Sequence, residues 1–167
     1  MTPEDRRRHG IVPWQSGESN LTMSDLDRLS AKGVVRRGER AEAARSVAAE
    51  IGLPAEMLAR PATTLSGGNQ QKLVVGRWVQ RPPAVLLLDE PTIGVDIGAK
   101  AEMLGFVRKL SDRGISTIVV SAEWEELIDT CDRILVLARG RLVGELQRGE
   151  ATEDRILRMV FAVMEEA

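Results

Sequence analysis

The residues best suited to chemistry in this chain are Ser66-Gly67-Gly68 and, further along, the adjacent carboxylates Asp89 and Glu90. A Ser-Gly-Gly directly before a helix removes side chains where backbone amides and the positive end of the helix dipole point outward, so a phosphate can approach closely. Adjacent carboxylates at the end of a strand project to opposite sides, one suited to a magnesium shell and the other to a water. Each pattern also has a plainer reading. Ser-Gly-Gly opens many helices after a glycine-rich linker, and Asp-Glu often carries a strand out into solvent. The order and spacing of the two together are what point to phosphoryl chemistry.

These residues need elements to hold them. Ala44, Val47, Ala48 and Ile51 recur at helical spacing and Gly52 and Pro54 end that helix, whereas the chain up to about residue 37 reads as irregular. After the Pro61–Thr64 linker, the Ser-Gly-Gly enters a second helix in which Val74/Trp78 and Val75/Val79 sit four apart, stopped by Pro82-Pro83. Ala84–Leu88 is short and continuously apolar, the pattern of a strand buried on both faces, and it delivers Asp89-Glu90 at its end. Met103, Phe106, Val107 and Leu110 mark the next helix, closed by Gly114, and Ile115–Val120 is a further buried strand. Ser121 is placed to cap a short acidic helix. Arg133–Ala138 and Leu142–Leu146 form a hairpin through Arg139-Gly140, and a last helix from near Thr152 turns Ile156, Leu157, Val160, Phe161 and Met164 inward. Strand, helix, strand, helix, strand predicts an α/β fold with a mainly parallel sheet and right-handed crossovers. Ligands collect at the carboxyl ends of such strands, where Asp89 and Glu90 stand.

Composition narrows the function. The 167 residues are 43% hydrophobic and 29% charged, with a formal net charge of -2, which describes one domain and gives no reason to expect nucleic acid or an anionic membrane surface. Arg6-Arg7-Arg8 reads as a solvated run. The apolar stretches are too short for a membrane span and no secretion signal opens the chain, so a cytoplasmic location is expected. Cys131 and His9 are the sole residues of their types, which leaves no internal disulfide and no Cys/His metal cluster. Trp14, Trp78 and Trp124 read as packing residues.

Leu65–Gln71 resembles the signature motif of ATP-binding cassettes, and Val85–Pro91 resembles their Walker B strand with its catalytic glutamate. Thr92–Asp96 looks like the D-loop. Asn69–Lys72 after the signature, with Glu90–Lys100, is similar to the second cassette of the tandem ATPases that serve ribose, xylose and galactose importers, and Pro3–Arg7 followed by Gly10 resembles that branch's Q-loop. The likeness runs nearly end to end. It implies a partial P-loop NTPase fold, with a small helical subdomain over about 14–81 carrying the signature and the Walker B core over about 82–167. It implies ATP and Mg²⁺ as ligands. Ser66, Gly67, Gly68 and Gln70 would belong to the nucleotide site, Asp89 would help hold Mg²⁺ through water, and Glu90 would polarise the attacking water. Asp96 would cross a dimer interface to couple two sites, and Glu4 would sit at the junction with a membrane subunit. The implied partners are a second cassette with an intact Walker A loop, transmembrane permease subunits and, indirectly, a sugar-binding protein. The implied location is the inner face of the cell membrane, through the permease.

The sequence departs from the family pattern at two points. No G-x-x-x-x-G-K-[ST] occurs, so the amide cradle and lysine that hold the β- and γ-phosphates, and the strand that leads into them, are missing from these residues. In the family fold that strand lies between the counterparts of Ile115–Val120 and Arg133–Ala138, so two apolar edges are expected here. Ala122 stands where most cassettes carry a histidine that senses the γ-phosphate. The chain opens in what resembles the middle of a cassette, which suggests a truncated gene, a misassigned start or a fragment. Three readings compete: part of a sugar-importing ATPase, a non-catalytic module that completes a partner's ATP site, and an inactive remnant. DNA-repair ATPases share such a signature, but the heptad run of their long coiled coils does not occur here.

Overall fold

The structure is a computed structural model that describes the backbone of residues 1–165 and the side chains of residues 1–162. Met164, expected on the inner face of the last helix, therefore lies outside the described side chains. Two compact units divide at Val120/Ser121.

The first unit runs through α1 (Gly17–Thr22), a small hairpin of β1 (Ser30–Ala31) and β2 (Val34–Val35), α2 (Arg37–Glu50), α3 (Gly67–Gly76), β3 (Val85–Asp89), α4 (Ile97–Asp112) and β4 (Ser116–Val120). β3 and β4 pair in parallel, Val85 against Ser116 through to Asp89 against Val120, with α4 as the crossover. Thr2 adds a parallel bridge to Leu88 on the other edge of β3, its amide donating to the Leu87 carbonyl at 2.8 Å. The core joins Ala44, Val47 and Ala48 of α2, Leu73–Val75 of α3, Leu86 and Leu88 of β3, and the predicted face of α4. Each buried Val, Leu, Met or Phe among these contributes roughly 1.5–3 kcal/mol. As expected, α2 stops at Gly52, whose φ of 63° suits a residue without a Cβ. α3 ends at Gly76, ahead of Pro82, and Trp78 and Val79 pack from the turn that follows.

Three expectations for this unit change. The opening is not irregular: it holds a wide helical turn at Arg6–Gly10, α1 and the β1/β2 hairpin. Short polar side chains build these pieces, and the same residue types also signal loops. Asp5 accepts from the amides of Arg7 and Arg8, Ser16 accepts from the amide of Ser19, and fully buried Asn20 exchanges hydrogen bonds with both backbone groups of Val12. The strands are not buried on both faces, since Val85 and Leu87 are 50% and 42% exposed and Ile118 and Val120 are 52% and 55% exposed. Within the unit α3 and α4 cover the Leu86/Leu88 face, and side chains alternate along a strand, so every second residue is left outside. Trp14 is no packing residue, being 83% exposed.

The second unit contains α5 (Trp124–Thr130), the antiparallel pair β5 (Arg133–Ala138) and β6 (Arg141–Gln147), and α6 (Glu153–Glu165). The predicted turn at Arg139-Gly140 has positive φ at both residues, the twist a tight hairpin needs. Ile134, Val136, Leu146, Ala151 and Ile156 form its core, with Trp124 and Val160 against it. Phe161 was expected to face inward but is more than half exposed. Ser121 lies two residues outside the α5 cap position, yet its hydroxyl accepts from the Glu123 amide at 3.1 Å, close to the predicted role. Among the described residues β4 pairs with β3 alone and β5 with β6 alone.

Candidate functional site

The helix α3 starts as the Ser-Gly-Gly pattern requires. Ser66 is its N-cap, in extended conformation, with its hydroxyl accepting from the Asn69 amide at 3.3 Å. That leaves the Gly67 and Gly68 amides at the positive end of the helix. Both glycines are demanded by close approach. A Cβ on Gly68 would stand 2.6 Å from the Ala99 Cβ, and one on Gly67 would stand 2.7 Å from the Gly94 carbonyl oxygen. The opposing element is the start of α4, capped by Asp96, whose Oδ1 accepts from the Ala99 amide at 2.9 Å.

Two helix N-termini thus converge on one open cleft of about 370 Å³, lined by Ser66, Gly68, Asn69, Lys72, Asp96 and Ala99 among others. Lys72 adds positive charge at its side, donating to the Gly52 carbonyl at 2.8 Å and pairing with Glu102 at 2.6 Å. Amides, helix ends and a lysine at a concave surface suit an anion. Asp96 and Glu102 keep the cleft from being uniformly positive.

The carboxylates gather elsewhere, at the carboxyl end of the parallel strands. Asp89 closes β3 and is partly buried. Glu90 adopts φ 45°, donates its amide to the Val120 carbonyl at 2.9 Å, and accepts from the Ile93 amide at 3.2 Å. A left-handed backbone at a non-glycine costs on the order of 1–3 kcal/mol and often accompanies function. Glu4 is exposed, two residues past the Thr2 bridge at the same end of the strands. The donor set here suits Mg²⁺ shared with phosphates better than a protein cage. Mg²⁺ usually takes one or two carboxylates plus phosphate oxygens, and no cluster of three or more His, Cys, Asp or Glu exists among the described residues.

The structure therefore brings Ser66, Gly68 and Asp96 to one cleft and leaves Asp89, Glu90 and Glu4 at the sheet end. Gly67 lies against Gly94 and is not part of the cleft wall. Gln70 turns inward at 4% exposure, its amide nitrogen donating to the carbonyls of Ala62 and Leu65. It shapes the loop that leads into α3 and does not line the cleft.

Sequence reasoning missed Arg6. As part of the run Arg6-Arg7-Arg8 it carries the pattern of a solvated residue, yet it is 7% exposed and donates to the carbonyls of Ile93 at 2.6 Å and Gly94 at 3.1 Å. Burial, reinforced by the Arg7 charge and opposed by Asp5, pulls its guanidinium below the usual arginine range. Its place directly after the capping Asp5 was the available signal, because a capped turn fixes which member of a charge run faces in.

Fold and site together define an α/β chain with an acidic pair at the carboxyl end of parallel strands and a glycine-lined cleft between two helix starts. A family model described as "ABC transporter" matches residues 2–93, and the chain belongs to that family. The ribose import ATP-binding protein of Chelativorans sp. (strain BNC1) is 42% identical over 164 residues, which is 98% of this chain and 32% of that protein. The xylose import ATP-binding protein of Burkholderia ambifaria is 42% identical over 157 residues, 94% of this chain and 30% of that protein. The chain thus spans about a third of the length of the curated relatives it matches. Among solved structures, a nucleotide-free ATP-binding cassette superposes with a TM-score of 0.72 at 19% identity, covering 96% of this chain and 68% of that one. A dimeric cassette bound to ADP and Pi gives 0.70 at 21% identity, covering 82% and 58%. These place the fold as that of a cassette ATPase, in part. No helix of the described residues is long and apolar enough to cross a membrane.

Proposed function

We propose that this chain is the signature-bearing and Walker B-bearing part of an ATP-binding cassette in a carbohydrate importer, where ATP binding and hydrolysis drive sugar uptake. The observation that carries the reading is the convergence of Ser66, Gly68 and Asp96 on the cleft between the starts of α3 and α4. In this reading the chain corresponds to the second cassette of a tandem ATPase, with residues 14–81 as its signature subdomain and 82–167 as its Walker B part. The names of the relatives, ribose and xylose import ATP-binding proteins, support the sugar-importing assignment.

Each residue then has a chemical task. Ser66 and the Gly68 amide face the γ-phosphate of an ATP held by an opposing cassette, where fixed donors stabilise charge that develops on transfer, and Gly67 acts indirectly by allowing the close approach to Gly94. Asp96 meets that cassette across the interface. Asp89 would help hold Mg²⁺, which supplies neutralisation of phosphate charge, and Glu90 orients the attacking water. Glu4 faces the permease. Gln70 acts indirectly, by shaping the loop that leads into α3. The partners are a cassette with an intact Walker A loop, the permease subunits and, through them, a sugar-binding protein, with no role for nucleic acid. The site of action is the cytoplasmic face of the membrane.

A second reading, a module that only donates its signature to a partner's site, is favoured by one observation: the cleft is lined by Ser66, Gly68 and Asp96 but by neither Asp89 nor Glu90. Calorimetry with Mg-ATP tests both, on the chain alone and mixed with a cassette that has an intact phosphate loop. The expected result is no tight binding alone and tighter binding with hydrolysis in the mixture; silence in both overturns the proposal. Glu90→Gln abolishes hydrolysis at the site it serves if its carboxylate is catalytic. Loss on Ser66→Arg with turnover kept in Glu90→Gln selects the donating module.

A further inference from the structure

We propose that Arg6 is a positioning residue that clamps the loop after Glu90 to the start of α3, holding Glu90, Asp96 and Ser66 in one relative placement. The inference rests on the function proposed above. Its guanidinium donates through Nη1 to the Ile93 carbonyl and through Nη2 to the Gly94 carbonyl, so one planar fork grips two consecutive peptide groups. The start of α3 meets both partners at the same point. A Cβ on Gly67 would stand 2.7 Å from the Gly94 oxygen and 2.8 Å from Arg6 Nη2, so three elements meet where there is no room for one more carbon.

The backbone end of Arg6 is seated just as firmly. Asp5 caps the turn Arg6–Gly10, and Gly10 packs so closely that a Cβ there would stand 3.1 Å from Val74 Cγ2 of α3. Arg6 therefore rides on α3 through its turn and grips the loop through its side chain. Burying a cation against neutral carbonyls is an unfavourable way to fill space, and its Nε is buried with no acceptor among the described residues. Geometry explains the choice where stability does not. The gripped residues lie between Glu90 and the Asp96 cap, and Glu4 lies two positions before Arg6, so the clamp joins the sheet-end carboxylates, the cleft and the exposed Glu4 segment.

The test uses Arg6→Lys, which keeps the charge and loses the fork, and Arg6→Met, which keeps the bulk and loses both. Hydrogen exchange on the chain alone should be roughly tenfold faster across residues 93–99 in both variants, with α2 and β6 unchanged. In the mixture with an intact-loop cassette, kcat should fall roughly tenfold or more while KM for Mg-ATP stays within about twofold, because misplacement by about 1 Å is that costly and the phosphate cradle lies outside this chain. Unchanged exchange overturns the clamp. So does a wild-type kcat in Arg6→Lys, or a fall in kcat matched by an equal rise in KM. A wild-type mixture with no hydrolysis overturns the proposed function instead, and the exchange result on the chain alone still decides whether the clamp exists.

Discussion

The approach of α3 to α4 makes Gly68 and Ala99 one packing unit, and exchanging them should reveal it. A Cβ on Gly68 would lie 2.6 Å from the Ala99 Cβ, a separation at which one helix must shift. Gly68→Ala therefore carries an overpacking cost of about 1–3 kcal/mol, offset by the roughly 0.5–1 kcal/mol that alanine gains over glycine in a helix. The net expectation is a loss of about 1 kcal/mol. Ala99→Gly in the first turn of α4 should lose about 0.8 kcal/mol from propensity alone. If the sites were independent, the double variant would lose about 2 kcal/mol. In the double variant, however, the methyl group has only changed helices: the clash is gone and the propensity terms cancel. It should match the wild type within about 0.5 kcal/mol, a coupling of about 2 kcal/mol, or roughly 4–8 °C in Tm for a chain of this size. Urea unfolding followed by circular dichroism measures the cycle. Additive losses would refute the close approach of the two helix starts, and with it the shape of the cleft.

The left-handed backbone at Glu90 predicts that Glu90→Gly is more stable than Glu90→Ala by about 1 kcal/mol, since both lose the side chain and only alanine keeps the strain; equal stabilities in thermal melts would remove the strain from the account. The one-sided cover of β3 predicts that Leu86→Ala, at a residue 1% exposed, loses about 2–5 kcal/mol, whereas Leu87→Ala, at one 42% exposed, loses less than about 1.5 kcal/mol. Comparable urea midpoints for the two variants would mean that both faces of the strand are covered in solution.

Much of the frame was legible in the sequence, for stated reasons. The face of α4 followed from four apolar residues at helical spacing, and all four are buried. The hairpin followed from Arg139-Gly140 between two apolar runs, and the parallel pairing of β3 with β4 followed from a helix between two strands. That a helix starts at Ser66-Gly67-Gly68 was equally plain, whereas the capping bond from the Asn69 amide to the Ser66 hydroxyl appears only in the structure. The opening was misread because its local pattern carries no period. Asp5, Ser16 and Asn20 order the opening through single side-chain contacts, which look like loop composition until partners are known.

By itself, then, the sequence determined which residues could do chemistry and which elements carry them, because caps, periodicity and strand ends are local properties. Only the tertiary structure decided which of them meet. It placed Asp96 opposite Ser66 and Gly68, turned Gln70 inward, and set the carboxylates apart from the cleft. It also took Arg6 out of a surface run and closed it on Ile93 and Gly94, residues distant in the chain. The physical reason is the same in each case: contacts between elements depend on how helices approach a strand, to within the width of a single Cβ, and no spacing along the chain encodes that distance.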